Sequence, residues 1–184
     1  GFLPKGIVAM LVTRGSIEKP DLLAELALSI ATGEPWQNTF TTTSHCGKEK
    51  MGNVFLGMGE NQYNDIHRIL YKSSKRMKQM SEKTLFKASK RIAVFSFFGQ
   101  QAAFVENDMP SRYFRELKLR LVELAPKKGW SLIILDPITR LLGKNDDASQ
   151  FIALLEELTI DLPGNPTVLF AQHVNNTAFE KSKK

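Results

Sequence analysis

Residues 7–32 read IVAMLVTRGSIEKPDLLAELALSIAT, and this stretch carries the strongest signal of the fold class. A short apolar run is followed by a tight loop with one lysine and then by an amphipathic segment. This order predicts a buried strand, a loop and a helix. It is the layout of a phosphate-binding loop, in which backbone amides and a lysine hold phosphate groups. The stretch therefore indicates the architecture of a nucleotide site.

The loop departs from the phosphate-loop pattern G-x-x-x-x-G-K-S/T at three positions. The pattern places glycine at 13 and 18 and a hydroxyl at 20, where this chain has Thr13, Glu18 and Pro20, while Lys19 matches it. Glu18 brings a negative charge and a Cβ to a place where phosphates and backbone should pass closely. Pro20 removes an amide donor and the hydroxyl that would hold magnesium. The sequence predicts a nucleotide-site architecture and puts its catalytic competence in question.

Further apolar runs follow along the chain, and none of them alternates with polar residues. They are NVFLGM (53–58), IAVFSFF (92–98), SLIILD (131–136) and TVLFAQ (167–172). Such runs are typical of strands that are covered on both faces of a parallel sheet. Helical patterns are predicted over 20–32, 62–80, 111–125 and 146–160, and loops over 39–50 and 99–110. The alternation predicts an α/β fold with a mostly parallel central sheet between layers of helices.

Length and composition suit one globular domain. At 184 residues with 42% hydrophobic and 24% charged residues, the chain can bury a substantial core, and we expect a single domain over residues 1–184 that is cropped at both ends. A single cysteine, Cys46, excludes an internal disulfide framework and favours a reducing compartment, so we expect a cytoplasmic protein. No apolar run reaches the length of a membrane span, so no membrane partner is predicted.

The formal net charge is +6, and much of the excess lies between Arg68 and Lys90 and in the tail with Lys181, Lys183 and Lys184. Basic surfaces attract nucleic acid. The alternative is a solvated helix face and an unstructured tail, and the sequence leaves both interpretations open.

Ligands of parallel sheets lie beyond the carboxyl ends of the strands, so the residues there are the candidates. Asp136 ends the run SLIILD and could hold a magnesium-bound water beside phosphates; the alternative is a turn aspartate before Pro137. Glu60 follows NVFLGMG and could polarise a water as general base, or be an exposed loop residue.

Four further residues complete the candidate site. Gly15 and Ser16 are flexible points of the loop, whose amides would face phosphates together with Lys19; a lysine at a helix start is otherwise an ordinary surface residue. Gln172 and His173 end the run TVLFAQ and could sense a γ-phosphate through hydrogen bonds, or serve the fold alone. The remaining histidines and Cys46 lack the spacing of a zinc site.

Taken together, these segments resemble a known family. The stretches GFLPKGIVAMLV, LALSIATGEPW, NVFLGMGEN, WSLIILDPITRLLG and TVLFAQHVNNTA occur in an order similar to that of the RecA-like ATPases related to the plasmid replicative helicase RepA. The resemblance extends from residue 1 to about residue 178. It implies a three-layer RecA-like P-loop fold.

The resemblance also implies roles and ligands. Lys19 matches the phosphate-binding lysine, Glu60 the catalytic glutamate, Asp136 the magnesium-coordinating aspartate and His173 the polar sensor, while the role of Arg140 stays open. It implies ATP and Mg²⁺ as cofactors, a hexameric ring and single-stranded DNA as partner. Two functions compete on this basis: a DNA-replication ATPase or helicase of the RepA type, and a catalytically degenerate module with a RecA-like fold that binds nucleic acid or a protein.

Overall fold

The computed structural model describes residues 3–14, 18–40, 51–78, 80–142 and 148–174, and within them a five-stranded parallel sheet forms the centre. Its strands are β1 (Val8–Arg14), β2 (Val54–Met58), β3 (Ile92–Ser96), β6 (Leu132–Asp136) and β7 (Thr167–Val174). They are ordered β1-β7-β6-β2-β3, and each neighbouring pair is parallel. All five predicted strands are confirmed.

Helices cover both faces of the sheet. Those in the described residues are α1 (Lys19–Thr32), α2 (Tyr63–Arg76), α3 (Glu82–Ser89), α4 (Arg112–Glu123), α5 (Ile138–Leu141) and α6 (Ala148–Asp161). Aromatic and aliphatic side chains of β2, β6 and β7, including Phe55, Ile133 and Phe170, pack against α4 and α6. The alternate residues, among them Leu56, Ile134 and Leu169, pack against α1 and α2. The predicted α/β class with helices on both sides of a parallel sheet is confirmed.

Local sequence signals explain where helix α1 begins and ends. Pro20 lies in its first turn, where the missing amide costs nothing. Gly33 ends it in the left-handed conformation with φ 78°, and its amide donates to the Ser29 carbonyl. The helix predicted over 20–32 is therefore confirmed, with Lys19 as its first residue.

The helix predicted over 62–80 is confirmed over Tyr63–Arg76 and ends earlier than predicted. Helix α2 ends at Arg76, and Met77 is extended with ψ 121°. A separate helix, α3, begins after Ser81, whose hydroxyl accepts from the Thr84 amide. The side chain of Met77 is buried with Leu28 and Ala88, so packing of the break against α1 and α3 overrides a continuous helix.

The loop predicted over 99–110 contains a small hairpin. Its strands are β4 (Val105–Glu106) and β5 (Met109–Pro110), which pair antiparallel. Asn107 and Asp108 connect them, both with positive φ (53° and 59°), as a tight hairpin turn requires. Of the other predicted loop, residues 41–50 lie outside the described residues, as does the lysine tail. None of the helices in the described ranges is both long and apolar enough to cross a membrane.

Candidate functional site

The candidate residues converge on the carboxyl edge of the sheet. Because all strands are parallel, β6 ends at Asp136 beside Met58 of β2, and Thr13 near the end of β1 is in register with His173 of β7. Helix α1 begins at the same edge, five residues after the last residue of β1. The edge thus combines a helix N-terminus with the ends of four adjacent strands.

Lys19 and Asp136 form a buried ion pair at this edge. Lys19 is the first residue of α1, and its Nζ lies 2.5 Å from Oδ1 of Asp136; the two side chains are 0% and 3% exposed. A lysine ammonium carries three donors. In the parts of the chain that are described, its only ion-pair partner is Asp136. The ammonium therefore has donor capacity beyond this one carboxylate.

A second donor lies close to the loop. The hydroxyl of Thr13 is buried and makes no hydrogen bond within the described residues. Buried hydroxyls are normally hydrogen-bonded, because an unmade bond costs free energy. Thr13 and Lys19 flank the loop between β1 and α1. This donor-rich, buried edge at a helix N-terminus fits the phosphates of a nucleotide.

Asp136 is the acidic group that fits a cation beside those phosphates. No group of three or more His, Cys, Asp or Glu side chains in the described ranges is placed to hold a metal ion by itself. A magnesium ion keeps several waters and binds through one or two carboxylates together with phosphate oxygens. Asp136 would therefore hold Mg²⁺ only together with phosphate oxygens and waters.

Glu60 lies in a loop that is fixed beside the exit of β6. The Gly59 amide donates to the Asp136 carbonyl (2.6 Å), and the Ser96 hydroxyl donates to the Asn61 carbonyl (2.7 Å). A Cβ on Gly59 would lie 3.1 Å from Cγ of Arg140, so glycine lets the loop pass this side chain. Glu60 itself is exposed. The structure places its backbone at the same edge as Asp136.

The structure describes the remaining predicted residues only in part. Gln172 is half-buried and in register with Val12 of β1. His173 is in register with Thr13, and only its backbone is described. Gly15 and Ser16 lie outside the described residues. Arg140 is an exposed residue of α5.

Glu18 does not present a free negative charge to the site. Its side chain is 64% exposed and turns to α2, where it lies 3.2 Å from Lys72 and 3.6 Å from Arg76. Asp21 contacts the same two cations at 3.7 and 3.3 Å. A hydrogen bond with Asp21, then the hydrogen bond and charge of Lys72, lower the pKa of Glu18 to about 2. Burial and the hydrogen bond with Glu18 raise the pKa of Asp21.

The sequence reasoning missed this cluster of Glu18, Asp21, Lys72 and Arg76. A signal was present, because Glu18 and Asp21 are three apart at the start of one helix and Lys72 and Arg76 are four apart on another. Each pair therefore lies on one helix face. Lys72 and Arg76 of α2 therefore compensate the negative charge of Glu18, and its effect on a bound polyphosphate stays a prediction.

Comparison with protein families gives one result that covers nearly the whole chain. A family model described as an AAA domain matches residues 1–178. No curated protein matches the chain. The family match agrees with the five-stranded parallel sheet and its flanking helices, which are those of a RecA-like P-loop fold.

Proposed function

The chain belongs to the AAA domain family, and on that premise we propose that it binds ATP with Mg²⁺ at the carboxyl edge of the sheet and hydrolyses it. The observation that carries the proposal is the buried pair of Lys19 and Asp136, 2.5 Å apart at the start of α1. A buried lysine and a buried aspartate at a helix N-terminus are the two charges that a magnesium polyphosphate needs.

Each residue has a defined task in this proposal. The bound nucleotide supplies the phosphoryl group that is transferred to water. Lys19 exchanges its contact with Asp136 for a phosphate oxygen, so the ammonium stays paired. Asp136 would hold the magnesium ion through its bound waters. The hydroxyl of Thr13 and the amides around Gly15 and Ser16 donate to further phosphate oxygens.

The other candidate residues act on the attacking water and on the γ-phosphate. Glu60 accepts a proton from the water as general base. Gln172 and His173 lie near the carboxyl end of β7 at the same edge and donate hydrogen bonds to the γ-phosphate. These roles are supported by the shared edge of β2, β6 and β7.

At the finer level, we propose an ATP-dependent DNA helicase or ATPase of the RepA type that acts in plasmid replication in the cytoplasm. It would work as a hexamer, with ATP between subunits and single-stranded DNA as partner. The support is the resemblance of the ordered segments, together with the excess of Lys and Arg between Arg68 and Lys90.

The test measures ATP binding and phosphate release on the full chain with Mg²⁺. We expect binding by the parent and by the control Lys127→Met, and none by Lys19→Met. Glu60→Gln should bind ATP and release phosphate about a hundredfold more slowly or worse. Circular dichroism of each variant establishes that it is folded. A folded parent without binding at millimolar ATP would contradict the proposal.

A second function, binding without ATP hydrolysis, is favoured by Pro20 and by the contact between Lys19 and Asp136. Pro20 offers no hydroxyl to magnesium, and the Lys19 ammonium already contacts a carboxylate. A degenerate module would keep the fold and bind nucleic acid or a protein without turnover. The triple variant Thr13→Gly, Glu18→Gly and Pro20→Ser distinguishes the two functions. Lys19-dependent hydrolysis by the parent excludes the degenerate module, and hydrolysis by the triple variant alone supports it.

A further inference from the structure

Positive charge is concentrated on one segment of the chain. Between Arg68 and Lys90 there are eight Lys and Arg residues and one acidic residue, Glu82, so this span carries more positive charge than the net +6 of the whole chain. The span forms the second half of α2 and all of α3. Both helices pack on the sheet face that α1 covers. The basic residues therefore belong to one of the two helical layers.

Only part of this charge is used inside the molecule. Lys72 and Arg76 pair with Glu18 and Asp21 of α1. Arg68 pairs with Asp65 on the surface of α2. The other lysines of the span, which are Lys75, Lys78, Lys83, Lys87 and Lys90, are exposed and make no ion pair within the described residues. A partner would meet these lysines on the outer side of α2 and α3.

Two exposed aromatic rings lie among these lysines. Tyr71 of α2 is 57% exposed, and Phe86 of α3 is 63% exposed. Each has a lysine four residues later, with Lys75 Nζ 4.9 Å from the Tyr71 ring centre and Lys90 Nζ 4.5 Å from that of Phe86. The same local unit, a ring with an ammonium at its face, thus occurs once on each helix.

We propose that the outer faces of α2 and α3 bind single-stranded nucleic acid, with Tyr71 and Phe86 stacking on bases and the surrounding lysines contacting phosphates. Exposed rings combined with cations are the two elements by which proteins hold single strands without reading their sequence. This inference takes nucleic acid as partner from the proposed function, but its surface is separate from Lys19 and Asp136.

The chemistry favours a single strand over the other anionic partners. An anionic membrane would need a continuous apolar face to insert, whereas Ile66 of α2 is buried and Leu70 packs against the core. Duplex DNA hides its base faces, so it would use the lysines without the rings. An acidic protein would likewise depend on charge alone. The rings are therefore the residues that distinguish the proposal.

The experiment measures fluorescence anisotropy of a labelled oligothymidylate of about 16 nucleotides. We expect the parent to bind with an affinity that falls steeply between about 50 and 200 mM salt. The variant Tyr71→Ala/Phe86→Ala should bind at least about tenfold more weakly. The variant Lys83→Gln/Lys87→Gln should bind more weakly and reduce the slope of log affinity against log salt by about 1.4.

Matched controls lie on the opposite helical layer. Leu119→Ala/Ile160→Ala removes two exposed apolar side chains there, and Arg120→Gln/Lys127→Gln removes two exposed cations. Both should leave binding unchanged. Equal loss in these controls, or full binding after loss of both rings, would overturn the proposal. So would tighter binding of polyglutamate, of duplex DNA or of phosphatidylserine vesicles than of the oligonucleotide.

Two further measurements separate this surface from the nucleotide site. Lys19→Met should keep oligonucleotide binding in the absence of ATP, and Tyr71→Ala/Phe86→Ala should keep ATP binding. If the parent binds the oligonucleotide but not ATP, the surface stands and the proposed ATPase fails. If the parent binds ATP but not the oligonucleotide, the surface is wrong and the ATPase stands.

Discussion

Glu18 and Lys19 are adjacent in the chain, yet they lie in opposite environments. The side chain of Lys19 enters the sheet edge and pairs with Asp136 without exposure to solvent. The side chain of Glu18 stays in solvent and shares Lys72 and Arg76 with Asp21. One helix start therefore supports a buried ion pair on one side and an exposed ion cluster on the other.

The comparison indicates that burial, and not the number of ion pairs, determines how much a charged side chain contributes to the free energy of unfolding. Exposed pairs contribute at most about 1 kcal/mol, because solvent screens them and long side chains lose freedom. A buried pair strongly couples its partners, because removal of one leaves the other as an uncompensated charge. The cluster at Glu18 lies at the surface, whereas the pair of Lys19 and Asp136 is buried and carries a structural cost.

The largest expected effect comes from breaking the buried pair. Asp136→Ala leaves the Lys19 ammonium buried without its carboxylate, and we expect the free energy of unfolding to fall by about 3–5 kcal/mol. Urea denaturation followed by circular dichroism measures it. The double variant Lys19→Met/Asp136→Leu replaces both charges by apolar side chains and should lose less than Asp136→Ala alone.

Asp136→Asn controls for side-chain shape in this comparison. It keeps the size of Asp136 and removes its charge, so it should resemble Asp136→Ala if charge dominates. If the free energy of unfolding fell by less than about 1 kcal/mol in both single variants, the pair of Lys19 and Asp136 would contribute no more than an exposed ion pair.

The next effect sharpens the comparison by adding the proposed ligand. ATP with Mg²⁺ at about 100 times its dissociation constant should stabilise the parent by about 2.7 kcal/mol, because only the folded state binds it. Arg76→Gln should gain the same increment, and Lys19→Met should gain none. Thermal denaturation with and without the nucleotide measures this stabilisation. An equal stabilisation of Lys19→Met would mean that the nucleotide does not bind through Lys19.

The fold was largely predictable because its signals are local. Apolar runs such as SLIILD read directly as buried parallel strands, and Pro20 and Gly33 mark the ends of α1. The two elements that were predicted wrongly also depend on short local signals. Ser81 starts α3 after a break at Met77, and Asn107–Asp108 makes a hairpin turn. Both signals are short and compete with longer patterns that favour a helix or a loop.

The candidate site was predictable only where the strand topology determines which residues meet. Parallel strands bring Asp136 and the start of α1 to one edge, so a lysine and an aspartate far apart in sequence were expected to meet, and they do. The contact of Glu18 with Lys72 and Arg76 could not be read in the same way. It depends on how α1 packs on α2 across 54 residues, and no strand order fixes the rotation of a helix about its axis.

A small effect is expected where the surface cluster is weakened. Arg76→Gln removes one cation from Glu18 and Asp21, and the free energy of unfolding should fall by about 1 kcal/mol or less. The change should shrink at high salt, because Arg76 and Glu18 face solvent. Urea denaturation at low and high salt measures it, with Lys83→Gln as the control for loss of one exposed cation. A salt-insensitive loss as large as that of Asp136→Ala would contradict the contrast between the two regions.

The smallest expected effect is a pH dependence at Glu18. Its pKa is lowered from 4.5 to about 2 in the folded chain, first by the hydrogen bond with Asp21 and then by Lys72. A lowered pKa means that the unfolded chain binds the proton more readily. The stabilisation from Glu18 is therefore present above pH 4.5 and is lost as the pH falls towards 2.

Glu18→Gln should accordingly have a lower thermal midpoint than the parent above pH 4.5, and the two midpoints should converge as the pH falls through this window. The raised pKa of Asp21 acts in the opposite direction, because burial and Glu18 favour its protonated form. Its effect therefore reduces the difference in thermal midpoint between the parent and Glu18→Gln. Glu123→Gln removes an equal charge away from Lys72 and Arg76 and serves as the control. Parallel curves for the parent and Glu18→Gln from pH 6 to pH 2 would mean that Lys72 and Asp21 do not hold this carboxylate in solution, and that Glu18 is free to oppose phosphate beside Lys19.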